Sequence, residues 1–207
     1  MTKPDLDSAY ALKTPEDSQK LYGEWAESYE ETFAQATGYR LPLAVADAFV
    51  ARGGTGPVLD IGAGTGLVGE ELSKRGVCLI DGTDISPQML AEAALKDCYE
   101  NLFEGDLTAR IDVEDGVYNG IISAGTFTHG HVGSDVFEEL LRVAASGALF
   151  VLSINAEHYA SQGFERKLGA LSAQVKGLNR AETPIYDGVR DNEHAGDMAL
   201  IVSFRKA

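Results

Sequence analysis

Basic residues are scarce in this sequence. Its 207 residues include 17 Lys and Arg against 32 Asp and Glu, which gives a formal net charge of −15. Proteins bind nucleic acids through clustered Lys and Arg side chains that neutralise phosphates, and pairs such as Arg166-Lys167 and Arg205-Lys206 stand isolated here. We therefore expect neither a nucleic acid nor an anionic membrane surface as a partner.

Cysteine and long apolar runs are scarce as well. Cys78 and Cys98 are too few for a disulfide framework or a zinc site. No stretch approaches the roughly 20 apolar residues of a membrane span, and the first ten residues lack the apolar core of a signal peptide. These absences predict a cytoplasmic protein, and a chain of this length suits one domain.

Hydrophobic residues follow two alternating periods. Thr14 and Pro15 predict the start of a helix, and Pro42 predicts a second one. After Pro57, short apolar runs alternate with amphipathic segments, which predicts a doubly wound, Rossmann-like α/β sheet with helices on both faces. The predicted strands span 58–61, 78–80, 117–123 and 148–154, with a weaker candidate at 99–103. The predicted helices between them span 67–75, 87–98 and 134–145.

The C-terminal part of the chain has a different pattern. Segments 185–189 and 198–204 have strand-like composition and are separated by a short polar turn, which predicts an antiparallel pair at one edge of the sheet. We interpret 1–207 as a single domain. Within it, we expect helices in 1–54 to form a lid and the insertion 156–176 to contribute to the substrate pocket.

A glycine-rich turn follows the first predicted strand in VLDIGAGTG at 58–66. Gly62, Gly64 and Gly66 allow a tight turn and let a ligand lie against the main chain. The spacing Gly-x-Gly-x-Gly differs from the Gly-x-Gly-x-x-Gly pattern that binds a dinucleotide pyrophosphate. Asp60, two residues before the first glycine, suits an ammonium group better than a pyrophosphate.

Two further acids end the next two strands. Asp84 follows Asp60 by 24 residues, close to the offset of about 20 at which a carboxylate reaches ribose hydroxyls. Asp106, in Glu104-Gly105-Asp106-Leu107, suits the exocyclic amine of an adenine. The carboxyl ends of neighbouring parallel strands form the binding edge of an open α/β sheet, so we expect the three acids to share one site.

This ordered set of motifs resembles the class I S-adenosylmethionine-dependent methyltransferases, most closely the Williams–Beuren syndrome region methyltransferase-like branch. The resemblance implies a seven-stranded sheet with one antiparallel edge strand and S-adenosylmethionine as cofactor, with S-adenosylhomocysteine as product. It implies methyl transfer to a small-molecule acceptor by in-line displacement, without a metal. The cofactor contacts that it implies are Tyr22, Trp25, Tyr29, Asp60, Gly62, Ala63, Gly64, Gly66, Asp84, Ile85, Ser86, Met89, Gly105, Asp106, Leu107, Ala124 and Gly125.

Several alternatives stay open at this point. Trp25, Tyr29 and Met89 have the spacing of ordinary core residues as much as of cofactor contacts. His129 follows the fourth strand and is a candidate general base, or a loop histidine, and with His131 it makes a poor metal site. The protein is alternatively a cofactor-binding regulatory or partner protein without transferase activity; a dinucleotide oxidoreductase is a third reading. The acceptor and the oligomeric state cannot be deduced from the sequence.

Overall fold

The N-terminal segment folds into short helices that precede the sheet. The computed structural model describes residues 4–12, 14–128, 132–187 and 194–207. Helix α1 spans Leu6–Tyr10 and α2 spans Pro15–Trp25, with Thr14 as N-cap accepting a hydrogen bond from the Asp17 amide. A 3₁₀ turn (Ala26–Ser28) and a π-helical turn (Glu30–Gln35) follow, and α3 spans Leu41–Ala51.

Strands and helices then alternate, as the two hydrophobic periods predict. The strands are β1 (Val58–Ile61), β2 (Ile80–Asp84), β3 (Asn101–Glu104), β4 (Tyr118–Phe127), β5 (Ala144–Asn155), β6 (Val175–Pro184) and β7 (Met198–Lys206). The helices are α4 (Leu67–Lys74), α5 (Pro87–Ala94), α6 (Phe137–Val143), α7 (Ala156–Ser161) and α8 (Phe164–Ala170). A 3₁₀ turn, Ser134–Val136, leads into α6.

The seven strands form one sheet in the order β3-β2-β1-β4-β5-β7-β6. The pairs from β3 to β5 are parallel, whereas β7 is antiparallel to both β5 and β6. The Rossmann-like sheet with one antiparallel strand is therefore confirmed. The antiparallel strand is second from the edge, because β6 occupies the edge position itself.

The strand predicted at 185–189 is wrong. The partner of β7 is β6, which ends at Pro184, and residues 188 and 189 lie outside the described part. The prediction relied on a high density of apolar residues. Strand β6 lacks this density, because it is an edge strand with mostly exposed side chains. A smaller error concerns β2, which begins at Ile80 and not at 78, since Leu79 has a positive φ of 58° and is 56% exposed.

Alternate residues of each central strand pack on opposite faces of the sheet. Leu59 and Ile61 join one core cluster and Val58 joins the other, as the two-residue period of a strand requires. The first cluster receives α6 and α8, and the second receives α2, α3 and α4. Because helices cover both faces of the sheet, the carboxyl ends of its parallel strands are the part that stays open to a ligand.

Helix α3 belongs to this core. Val45, Ala46 and Phe49 are fully buried against the sheet, so α3 is a fixed layer and not part of a lid. Of the lid predicted in 1–54, only the helices before α3 remain candidates for movement. No helix in the described residues is long and apolar enough to cross a membrane.

Candidate functional site

A cavity lies at the carboxyl ends of β1 to β4, beneath α2 and the turns that follow it. Thirteen of the residues expected to contact the cofactor line it. They are Tyr22, Tyr29, Gly62, Ala63, Gly64, Asp84, Ile85, Met89, Gly105, Asp106, Leu107, Ala124 and Gly125. The three strand-end motifs therefore converge on one cavity, as the parallel sheet requires.

The glycine-rich turn forms one wall of the cavity. Gly62, Gly64 and Gly66 have φ angles of 65°, 55° and 86°, in the left-handed region that favours glycine. A Cβ atom on Gly64 would meet no atom within 4 Å, so the main chain at Gly64 is open to the cavity that it lines. A ligand can therefore approach this backbone closely.

Asp84 ends β2 and lies at the opening of the cavity. Its two carboxylate oxygens accept hydrogen bonds from the amides of Gly64 and Ser86, both at 2.9 Å. Burial raises the pKa of Asp84, and these backbone donors lower it in part. The carboxylate thus holds the glycine-rich turn and faces the cavity, and no cationic side chain among the described residues pairs with it.

The end of β3 forms the opposite wall. The Gly105 amide donates to the Asp84 carbonyl at 3.0 Å, which fixes the Asp106-Leu107 segment beside β2. Met89 is 2% exposed and Leu107 is 8% exposed, and both line the cavity with Ile85. These apolar groups suit the faces of an adenine ring, with Asp106 at its edge.

Four expected contacts do not line the cavity. Gly66 and Ser86 shape the ends of helices: Gly66 precedes α4, and the Ser86 hydroxyl caps α5 by accepting from the Met89 amide. Trp25 lines a neighbouring cavity, described below. Asp60 is fully buried and lies behind the glycine-rich turn, so a role for this carboxylate in cofactor binding must be indirect.

Asp60 pairs with Tyr99, a residue that the motifs did not reveal. The Tyr99 hydroxyl donates to Asp60 Oδ2 at 2.8 Å and accepts from the Gly69 amide at 3.2 Å, while Asp60 Oδ1 has no partner in the described structure. The Tyr99 ring lies so close to Gly66, Gly69 and Gly82 that a Cβ on any of them would come within 3.0 Å of it. These three glycines make room for the ring that supports the turn.

Burial raises the pKa of Asp60 from 3.8 to about 7, against the lowering effect of the Tyr99 hydroxyl. Because the pKa is higher in the folded state, Asp60 costs stability progressively as the pH rises from about 4 to about 7. We expect Asp60→Asn, a neutral isostere, to match the wild type at pH 4 and to be more stable by about 2–4 kcal/mol at pH 8. Urea unfolding of both proteins at the two pH values tests this; equal stability at pH 8 would contradict it.

The cover of the cavity comes from the N-terminal segment. Tyr22 and Tyr29, predicted from the helical stripe, are joined by Tyr39, which lies against Gly125. Gln19 donates to the Ile85 carbonyl at 3.0 Å and ties α2 to the loop after β2. Sequence reasoning missed ten lining residues, most of them beside the recognised motifs: Leu12, Ser18, Tyr39, Pro42, Thr65, Leu67, Val68, Thr126, Thr128 and Val132.

We expect this cover to open and close around the ligand. Among the described residues, few hydrogen bonds tie this cover to the rest of the protein. Lids belong to the less stable parts of a fold. Amide hydrogen exchange in 15–36 should slow at least tenfold when S-adenosylhomocysteine is added, while exchange in α3, which is already buried, stays unchanged. Equal protection of 15–36 with and without ligand would show a fixed core segment.

A second cavity adjoins the first and shares Tyr22, Tyr29, Tyr39, Gly125 and Thr128 with it. Eight of its fifteen described lining residues are aromatic: Tyr10, Tyr22, Trp25, Tyr29, Phe33, Tyr39, Phe127 and Tyr186. No residue of 156–176 lines either cavity among the described residues. The His158 ring in that insertion lies in hydrogen-bond contact with the carbonyl of Val132, a residue that lines the first cavity, with 3.0 Å between Nε2 and the oxygen.

Two other predictions concern histidines and metals. His129 and His131 lie outside the described residues, so the structure gives no contact for the predicted general base. Among the residues it does describe, no cluster of three or more His, Cys, Asp or Glu side chains could hold a metal ion.

Comparisons with known proteins agree with this geometry. A family model described as a methyltransferase domain matches residues 58–147. Human methyltransferase-like protein 27 is 31% identical over 147 residues, covering 67% of this chain and 59% of the relative. Bovine 18S rRNA (guanine-N(7))-methyltransferase is 33% identical over 112 residues, covering 49% and 40%. The chain thus spans about half the length of these curated relatives.

A solved structure shows the same fold. A SAM-dependent methyltransferase from Thermotoga maritima superposes with a TM-score of 0.63 at 13% identity, covering 91% of this chain and 99% of that one. The matched range runs from β1 to the first residues of β5 and contains all three strand-end motifs. Residues 58–147 thus form a methyltransferase domain of the class I S-adenosylmethionine-dependent type.

Proposed function

We propose that this protein binds S-adenosylmethionine in the first cavity and transfers its methyl group to a small molecule held in the second. The observation that carries the proposal is the convergence of Gly64, Asp84 and Asp106 on one cavity that opens into another. The half-buried Asp84 carboxylate at the end of β2 suits the ribose hydroxyls of the cofactor. The open backbone at Gly64 leaves room for the methionine part of the cofactor.

When bound, the cofactor supplies an activated methyl group. The protein then needs to hold the acceptor in line with the bond that breaks, and this positioning accounts for several kcal/mol of the barrier. Tyr22, Tyr29 and Tyr39 line both cavities, so an acceptor held in the second would lie beside a cofactor bound in the first. His129 remains our candidate for removing a proton from the acceptor where the reaction needs one.

We infer that the acceptor is small from the net charge of the chain and from the shape of the second cavity. Some relatives are rRNA methyltransferases, but with a net charge of −15 this chain repels a polyanion. The second cavity is enclosed by α1, α2 and Tyr186. We therefore propose a metabolite as acceptor and neither RNA nor a membrane as partner.

The alternative function is a cofactor-binding regulatory or partner protein without transferase activity. A solved relative in complex with the Trm112 methyltransferase activator shows that a protein of this fold can work with a partner chain. The described residues favour the enzyme, because a second cavity beside the cofactor site would be superfluous in a protein that only senses the cofactor.

Incubation with S-adenosylmethionine and pooled metabolites distinguishes the two functions. We expect S-adenosylhomocysteine to accumulate only when a metabolite fraction is added, and RNA to produce no such increase. Cofactor binding without product in every fraction would favour the regulatory function. Product formation with RNA alone would contradict the proposed acceptor class.

A further inference from the structure

The second cavity has aromatic walls and no charged lining among the residues that the structure describes. Lys, Arg, Asp, Glu and the described histidines are all absent from this lining, and Ser153, Asn155 and Thr128 are its polar non-aromatic members. The burial of a charged group without a partner costs free energy. An acceptor that enters as a carboxylate, a phosphate or a phenolate would therefore find no cation to pair with.

The aromatic rings surround the cavity and do not form a single stack. Trp25 and Tyr29 meet edge to face at 5.3 Å between centroids, and Phe33 and Tyr39 lie tilted at 5.2 Å. Tyr186 lies 6.3 Å from Tyr39, again tilted. The face of an aromatic ring attracts a cation that lies within about 6 Å of the ring centroid.

A carboxylate lies just behind these rings. The Tyr10 hydroxyl donates to Asp197 Oδ2 at 2.7 Å and lies 3.5 Å from the Tyr186 hydroxyl. The same Asp197 oxygen lies 3.1 Å from Nδ1 of His194, whose ring stacks on Tyr10. The nearby cation Arg40 is already paired with Asp187 at 3.0 Å, on the surface. Burial raises the pKa of Tyr29, Tyr39 and Tyr186, so that these phenols remain neutral.

We propose that the second cavity selects an amine as the methyl acceptor, which reacts in its uncharged form, and stabilises the ammonium cation that the transfer produces; this rests on the function proposed above. The amine nitrogen uses its lone pair to bond the methyl carbon, and the carbon–sulfur bond breaks with its electron pair going to sulfur. Positive charge thereby passes from sulfur to nitrogen, into the ring of aromatic faces. Any N–H proton then leaves the ammonium product to solvent.

Three isosteric probes test this choice of charge: choline as the ammonium, 3,3-dimethylbutan-1-ol as its uncharged carbon analogue, and 3,3-dimethylbutanoate as the anion. Each is titrated into protein saturated with S-adenosylhomocysteine, and the fluorescence of Trp25, the one tryptophan of the chain, reports binding. We expect choline to bind at least tenfold more tightly than the alcohol, and the carboxylate to bind most weakly.

A pair of variants tests whether the preference for choline arises in the second cavity. Tyr186→Leu, in a residue that lines only the second cavity, should remove most of the preference for choline and leave S-adenosylhomocysteine affinity within twofold. Tyr159→Leu is the matched control, because Tyr159 is as buried as Tyr186, at 8% exposure, and lines neither cavity.

The titrations separate this inference from the proposed function. Failure of the wild type to bind S-adenosylhomocysteine would overturn the proposed function. Normal cofactor binding with equal affinity for choline and the alcohol, with tighter binding of the carboxylate, or with no binding of any probe would overturn the amine inference alone. An unchanged preference in Tyr186→Leu would place the selectivity outside the second cavity and contradict it as well.

Discussion

Replacement of Asp84 by asparagine should weaken S-adenosylmethionine binding at least tenfold while the protein stays folded. The carboxylate faces the cavity from the end of β2, and we expect it to accept from the ribose hydroxyls of the cofactor. Charge-assisted hydrogen bonds of this kind contribute roughly 1.5–3 kcal/mol each. In the wild type, one carboxylate oxygen accepts from the Gly64 amide and the other from the Ser86 amide. Asparagine keeps one acceptor oxygen for these two amides.

Asp81→Asn provides the matched control. Asp81 lies on the same strand, outside the cavity, and accepts hydrogen bonds from Asn101 and Tyr118, both at 2.9 Å. Calorimetric titration should show wild-type affinity in this variant and weakened binding only in Asp84→Asn. Equal affinity in both variants would remove Asp84 from the cofactor site.

Gly64→Ala should reduce cofactor affinity by 30-fold or more, because the new methyl group occupies space where the cofactor meets the main chain. No atom lies within 4 Å of this Cβ position, so the protein itself has room for it. The positive φ of 55° adds a backbone cost of roughly 1–2 kcal/mol in the folded protein.

Gly53→Ala separates the backbone cost from the loss of space. Gly53 has a φ of 70°, also has nothing within 4 Å of its Cβ position, and lies outside the cavity. Both variants should lose similar stability in urea, whereas only Gly64→Ala should lose affinity for S-adenosylhomocysteine. A parallel loss of affinity in Gly53→Ala would mean that stability, and not contact, explains the effect.

The sheet and the main cavity could be predicted because local patterns encode them. The apolar runs and the cap at Thr14 depend on neighbouring residues only. Strand-end motifs converge in any parallel sheet, so Gly62, Asp84 and Asp106 could be assigned to one site without knowledge of distances.

Contacts between distant segments could not be predicted in this way. Tyr99 supports the glycine-rich turn from beyond α5, and only the three-dimensional packing shows why Gly69 and Gly82 carry no side chain. Asp60 has the sequence spacing of a residue that contacts the ligand, yet its side chain faces Tyr99. The direction of this side chain follows from the strand period, because successive side chains of β1 point to opposite faces of the sheet. Strand β6 was missed because an edge strand with polar side chains lacks the apolar period on which the predictions relied.

Calorimetric titration of the wild-type protein with S-adenosylhomocysteine, and in parallel with NAD⁺, tests the central claim most directly. The Gly-x-Gly-x-Gly turn, the cavity at the ends of β1 to β4 and the acids that line it predict a single site of micromolar affinity for S-adenosylhomocysteine and no measurable heat with NAD⁺. Absence of S-adenosylhomocysteine binding at millimolar concentration, or tighter binding of NAD⁺, would contradict the account.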